Sequence, residues 1–250
     1  LLERARPVDG LTEVSGASVI LVPVGEVQND DRQLLGAEQE TWLAATLRET
    51  PARWKLLGQG VMFGQLKIAG LPELATGGVY LNPDQWDGYP AARTRVYDLL
   101  EGVDGGAPVG DVVVLTGDIH SSWSMDLARD PNTPLAEAGG YNPLTGDGSR
   151  AVEFVATSIT SPGLETFEPA SPLIGVLNPH IKYADFSQKG YLLLDLTPDR
   201  VVGEHWYVDT ITEPSANEVF GSAFQTLAGS SRLTAAEATV PRADAPPFAP

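Results

Sequence analysis

Apolar positions cluster most densely at 112–115, where Val112-Val113-Val114-Leu115 follow one another without a polar break. An unbroken β-branched run of this length reads as a strand over 111–116 that is buried on both faces. Helical spacing dominates two other regions. Residues 31–40 open a helix in which Leu35, Trp42, Leu43 and Leu47 recur at helical intervals and Glu38 and Glu40 suit a first turn. Ala92, Val96, Leu99 and Leu100 form the apolar face of a second helix. Shorter strands are predicted near 18–24, at 54–58 and at 151–157. Residues 191–196 and 201–208 read as an antiparallel pair joined at Thr197-Pro198-Asp199-Arg200, the second strand lying at an edge or half exposed. Between these elements, 66–88 reads as a long surface loop, 129–149 as another loop, and 168–189 as irregular chain. From about 235 the chain is rich in Ala, Pro and Thr. The expected organisation is an α/β unit over 1–232 and a Pro/Ala-rich tail over 233–250, without internal repeats.

Composition narrows the chemistry. With 250 residues and 42% hydrophobic content, the chain can bury a core for one large domain or two small ones. A net charge of −17 argues against a nucleic-acid-binding surface, which needs a basic stripe. It suits metal cations and an exported protein; an anionic substrate would need local positive charge, most simply from bound metals. There is no Cys, hence no disulfide, thiolate nucleophile or zinc-thiolate site within the chain. Residues 1–7 lack the pattern of a signal peptide, no apolar run is long enough to be a transmembrane segment, and the first residue is Leu rather than Met. These features lead to the expectation of a processed product or fragment.

The exit of the 111–116 strand carries the strongest candidate chemistry. Gly117 breaks the strand, and Asp118 and His120 follow two positions apart. In an extended loop such residues point to one side, which would let a carboxylate and an imidazole approach a metal together. The same pair could instead cap a turn or open a helix. Only three His occur, at 120, 180 and 205. His180, in Asn178-Pro179-His180, is structural or else touches substrate. His205, beside Trp206, reads as packing or surface. Asp87 and Arg93 either pair locally or leave Asp87 to orient a metal-bound His. Lys182 and Tyr183 could approach an anionic substrate, but a solvated Lys is the favoured reading. Ser121 and Ser122 lack an acid at the spacing of a hydrolase triad.

Six blocks, in order over residues 32–208, resemble PhoD-like phosphatases of the metallophosphoesterase superfamily. They are Leu35-Gly36-Ala37-Glu38-Gln39-Glu40 with Trp42-Leu43; Ala52-Arg53-Trp54-Lys55-Leu56-Leu57-Gly58-Gln59; Trp86-Asp87-Gly88-Tyr89-Pro90-Ala91-Ala92-Arg93; Gly117-Asp118-Ile119-His120-Ser121-Ser122-Trp123; Glu153-Phe154-Val155 with Thr157-Ser158-Ile159-Thr160-Ser161; and Asn178-Pro179-His180-Ile181-Lys182-Tyr183. The resemblance implies a sandwich of two mixed β-sheets flanked by helices. It also implies hydrolysis of a phosphate-ester substrate, of the alkaline phosphatase or phosphodiesterase type, by a metal-activated hydroxide. Asp118 and His120 match the family's last metal motif, His120 and His180 are the implied catalytic contacts, and iron (Fe3+) and calcium, or another divalent metal, are the implied cofactors. Hard carboxylate suits calcium and imidazole suits iron. Secreted or periplasmic localisation goes with the same family.

The chain also departs from the family. The family's earlier motifs comprise a Cys near the first strand, acidic residues at the ends of the next strands, and a Trp-Asp-Asp-His-Glu block with a nearby Asn. None of these is present. Gly58-Gln59-Gly60 stands where the family reads Gly-Asn-Gln or Gly-Gln-Gln. The expectation is a C-terminal half that works with an N-terminal half of the same enzyme as a separate chain. A phospholipase D-type diesterase and a non-catalytic assembly half are the alternatives.

Overall fold

Val112, Val113 and Val114 are all buried, because the sheet that holds them is covered on both faces. The computed structural model describes residues 12–14, 18–20, 27, 29–69, 79–134 and 139–240. Its strands and helices are β1 (Thr12–Val14), β2 (Ser18–Ile20), α1 (Ala37–Glu49), β3 (Lys55–Gly58), β4 (Lys67–Ala69), β5 (Val79–Tyr80), α2 (Pro90–Glu101), β6 (Val112–Thr116), β7 (Ser122–Ala128), β8 (Ser149–Val155), α3 (Ser171–Leu177), β9 (Ile181–Asp185), β10 (Gly190–Leu196), β11 (Arg200–Val208), β12 (Glu218–Leu227) and β13 (Thr234–Ala236). A five-stranded mixed sheet runs β3-β6-β8-β7-β9, and a four-stranded antiparallel sheet runs β10-β11-β12-β13. β3, β6 and β8 are parallel, whereas β7 runs antiparallel to β8 and β9. The result is the mixed α/β, two-sheet architecture that the sequence predicts.

Alternating side chains of β6 divide the core. Val112 and Val114 join Leu47, Trp86, Val96 and Leu100 under the helices. Val113 joins Val152, Phe154, Val201 and Leu233 between the two sheets. The sheets approach closely at Gly203, where a Cβ would sit 2.5 Å from the Phe154 ring. α2 buries the predicted face, Ala92, Val96, Leu99 and Leu100; Pro90 starts it, and Gly102, at φ 73°, ends it in a left-handed cap. α1 begins at Ala37 rather than near 31. The turn ahead of it is held by the Asn29 side chain accepting from Asp31 N. Leu47 is buried, whereas Trp42 is 65% exposed and does not share the core face.

The predicted 191–196/201–208 pair is present, with Leu192 opposite His205 and Thr197 N donating to Arg200 O across the turn. β11 is not an edge, however. It lies between β10 and β12, and Glu204 and His205 are buried. Their polarity misleads because it is satisfied internally. Glu204 accepts from Trp206 Nε1 and from Thr239 N and Oγ1, and His205 Nε2 is hydrogen bonded to Ser124 Oγ at 2.9 Å. The folded body continues past 232: Leu233 is buried, β13 pairs with β12, and Thr239 is tied to Glu204. Residues 241–250 lie outside the described residues. Of the strand expected at 18–24, β2 covers Ser18–Ile20, and 21–24 fall outside the described residues. The 129–149 loop has no regular element among its described residues until β8 begins.

Two loop predictions fail. The 168–189 stretch contains α3 and β9, preceded by a 3-10 turn at Glu165–Ala170. Both elements are short and partly exposed, so neither gives a clear period. The 66–88 stretch holds β4, β5 and a 3-10 turn at Trp86–Gly88, and Leu66, Tyr80, Trp86 and Asp87 are buried. Residues 70–78 lie outside the described residues.

A buried strap at 62–67 explains why Gly- and polar-rich chain can be interior. Side chains take most of its backbone hydrogen bonds in place of a ladder. Glu153 accepts from Phe63 N and Gly64 N at 2.9 and 2.7 Å, and Asp87 from Leu66 N at 3.0 Å. Asn178 exchanges two bonds with Lys67, and His180 Nε2 donates to Gln65 O. Asp87 is itself paired with buried Arg93 at 2.6 Å.

Two outcomes follow for stability. Asp87→Ala strands a buried guanidinium, so it should cost about 3–5 kcal/mol of unfolding free energy in urea titrations. A loss below about 1 kcal/mol would mean that the pair holds nothing. Burial lowers the His205 imidazole from 6.5 to about 4, and that of His180 to about 3. Between pH 6.5 and 4 the unfolded chain therefore binds more protons than the folded one. Stability should be full above pH 6.5 and fall as pH drops towards 4. His205→Gln should flatten that slope; an unchanged slope would contradict the assignment.

Candidate active site

The carboxyl ends of β3, β6 and β8 lie on one rim of the five-stranded sheet, because all three strands are parallel. Ligand sites of open α/β sheets collect at such rims. β3 delivers Gln59, β6 delivers the 117–120 turn, and β8 delivers Thr157. Gln59 N donates to Leu115 O, and the Gln59 side chain accepts from Trp86 Nε1 at 2.8 Å. Gly60 is exposed, with nothing within 4 Å of an added Cβ, so the longer side chain of the family pattern would be accommodated.

The 117–120 turn is not extended. Asp118 and His120 both adopt left-handed backbone, at φ 67° and 58°, and Ile119 N closes onto Gly117 O. Simple alternation therefore does not describe how the pair leaves the strand. Non-Gly residues in this region cost on the order of 1 kcal/mol or more, and they concentrate at functional sites. Asp118 is exposed and His120 is half-buried. His120 Nδ1 lies 2.7 Å from Pro162 O. A carbonyl only accepts, so Nδ1 carries the proton and Nε2 keeps its lone pair. Thr157 Oγ1 reaches both Gln188 O, at 2.8 Å, and His120 O, at 3.4 Å, stitching β8's exit to the turn.

The donor chemistry fits a metal: a hard, exposed carboxylate beside an imidazole whose second nitrogen is free. Among the described residues, no three His, Cys, Asp or Glu side chains come together as a cation site. Asp118 and His120 alone are fewer donors than a protein metal site uses.

The other candidates lie elsewhere. His180 is 1% exposed, and its carbonyl accepts from Asp126 N. That position is four residues along β7 from Ser122, about 13 Å at roughly 3.3 Å per residue. There it holds the 62–67 strap. Lys182 is tied to Tyr141 OH at 2.6 Å, and Tyr183 OH to Tyr207 OH at 2.8 Å. Asp87 takes the local pairing with Arg93. Ser121 and Ser122 are buried, and Ser121 Oγ accepts from Trp123 Nε1. Residues that shape the site without having been singled out are Gln59, Thr157 and Pro162. Their signal was the Gly58-Gln59 and Thr157-Ser158-Ile159-Thr160-Ser161 blocks, whose spacing from the 117–120 turn only the parallel sheet makes short.

Comparison with known proteins agrees with this architecture. The PhoD-like phosphatase family profile matches residues 18–205. Alkaline phosphatase D of Bacillus subtilis (strain 168) is 33% identical over 195 residues, which is 78% of this chain and 30% of that protein. The solved structure described as "Structure of PhoD" superposes with a TM-score of 0.71 at 28% identity, over 93% of this chain and 41% of that one. The chain thus spans less than half the length of either relative. Its fold, its rim of strand ends and the extent of the match place it in one family: the chain belongs to the PhoD-like phosphatases.

Proposed function

We propose that the chain is part of a metal-dependent phosphoester hydrolase, with Asp118 and His120 supplying two of the metal ligands. The observation that carries this reading is the strained 117–120 turn, which leaves His120 Nε2 and the Asp118 carboxylate free at the rim of the parallel strands. The similarity to alkaline phosphatase D supports the activity class. Iron and calcium are the identities that the family resemblance favours, as is export to the periplasm or cell exterior. Among the described residues no helix is long and apolar enough to cross a membrane. Asp118 and His120 would hold a metal whose Lewis acidity would draw charge off a phosphoryl oxygen and activate water. The chain's own part is to fix the ligands: Gly117 O anchors Ile119, Pro162 O orients the imidazole, and Thr157 ties the turn to β8. His180 serves the reaction through the strap that it holds.

The remaining ligands come from further polypeptide of the same enzyme, seated along β3. Three features support this. β3 ends the described sheet, with Leu56 46% exposed. A largely apolar groove of about 510 Å³ runs beside it, lined by Leu35, Trp42, Leu43, Leu47 and Leu57 among others. The matched region is 41% of the structural relative. A strand edge left without a partner among the described residues, beside apolar surface, invites another strand.

Asp118→Ala and His120→Ala should each lower p-nitrophenyl phosphate turnover on the order of a thousandfold or more. Bound metal, measured by plasma mass spectrometry, should fall as well. Near-parental turnover and metal content in both variants would overturn the metal assignment, and metal without turnover in the assembled parent protein would favour an assembly role. Leu56→Lys should weaken association with the companion segment by at least about tenfold, the equivalent of burying one to two methylenes less. Unchanged association would place that segment elsewhere.

A further inference from the structure

We propose that Glu165 and Lys189 are positioning residues for His120, acting through the peptide unit between Pro162 and Gly163 to hold the imidazole with Nε2 presented to a metal. The inference rests on the metal role proposed above for His120.

The connection runs through one peptide group. Its carbonyl, Pro162 O, accepts from His120 Nδ1 at 2.7 Å. Its N–H, on Gly163, donates to Glu165 Oε1 at 3.0 Å. The same oxygen accepts from Lys189 Nζ at 2.9 Å. A carboxylate at the N–H end of a peptide polarises it, so the carbonyl at the other end becomes a stronger acceptor. The imidazole therefore feels Glu165 without touching it. Metal-bound His side chains commonly donate their other N–H to a carbonyl or carboxylate, which fixes the tautomer and raises ligand basicity.

Local packing shows how tightly the unit is built. A Cβ at Gly163 would stand 2.4 Å from Lys189 Nζ and 3.0 Å from both Glu165 Oε1 and His120 O. A side chain at 163 would therefore displace the Lys189 ammonium from this point of convergence. Lys189 is anchored from behind, its carbonyl accepting from Val208 N and that of Gln188 from Thr157 Oγ1. The Lys189 bond, with help from backbone donors, holds the Glu165 carboxyl down to about 2, so it is ionised at any working pH. The Glu165 side chain is 49% exposed and that of Lys189 only 9%. A mostly buried ammonium thus meets a half-exposed carboxylate at the peptide unit that contacts His120.

Nitrogen NMR of the imidazoles tests this. This chain carries three His, so labelling it with 15N-histidine inside the assembled protein gives few signals, and His120→Gln identifies the one of interest. Metal-free at pH 8, His120 should show a single Nδ1–H tautomer. Glu165→Ala should turn that into a mixture of both tautomers, with Lys189→Met and Gly163→Ala moving the same way. Titration with Co2+ alone should show about 10–100-fold weaker binding in Glu165→Ala. The urea midpoint should hold in Lys189→Met, which leaves only a half-exposed carboxylate, whereas Glu165→Ala leaves a buried ammonium unpaired and should lower it. A single Nδ1–H tautomer and parental Co2+ affinity in both Glu165→Ala and Lys189→Met would overturn the proposal. Scrambled tautomers in the variants, with no Co2+ response at His120 in the parent protein, would support the control of the imidazole by Glu165 and overturn the metal role of His120 instead.

Discussion

The Glu153 carboxylate is the interaction on which the rest of the arrangement hangs. It accepts from Phe63 N, from Gly64 N and from Thr116 Oγ1, the last at 2.6 Å, while fully buried in β8. A carboxylate taken out of water is costly unless its lone pairs are filled, and three donors fill them here. One side chain thereby joins the strap at 62–67, the strand β8, and the last residue of β6. Burial still pushes this carboxyl above its usual value, with its three donors pulling the other way. Loss of any donor would leave a desolvated charge against Thr116, the residue before the 117–120 turn. The turn's strained backbone thus starts from a strand end that is fixed by this network.

The parts legible in the sequence were those governed by periodicity. β6, the apolar face of α2 and the β10–β11 pairing follow from residues whose burial depends on their own strand or helix period. The parts that were not legible depend on side chains far away in sequence. Chain at 62–67 looks like loop because its hydrogen bonds go to Glu153, Asp87, Asn178 and His180, up to 115 residues distant. Glu204 and His205 look like surface for a related reason, their polar atoms being matched by Thr239 and Ser124 across the sandwich. A polar residue in a strand carries no mark that says whether water or a buried partner will satisfy it.

The site divides along the same line. Asp118 and His120 stood out because they follow the most strand-like run in the chain. Their relation to each other was misjudged, since φ near 60° at two non-Gly residues is not a feature that composition announces. His180 was grouped with them by motif, yet it sits beside Asp126 and under the strap. Its imidazole is held neutral by burial, as suits a hydrogen bond to a carbonyl rather than contact with an anion. A shared family block thus includes residues that build the scaffold.

The side of β3 left open among the described residues and the proposed partial ligand set belong to one geometrical problem. β3 runs parallel to β6, so Gln59 at its end stands on the rim that carries Asp118 and His120. A strand added to β3 in the same direction would bring its own carboxyl end to that rim, about 5 Å further along the sheet. A second parallel strand would add another. Side chains from those ends would stand on the same rim as Asp118 and His120, whereas an antiparallel neighbour would deliver its exit to the opposite rim. Direction of pairing along β3 therefore decides whether covering the apolar groove also completes the proposed metal site. Only a parallel continuation accomplishes both with one docking event.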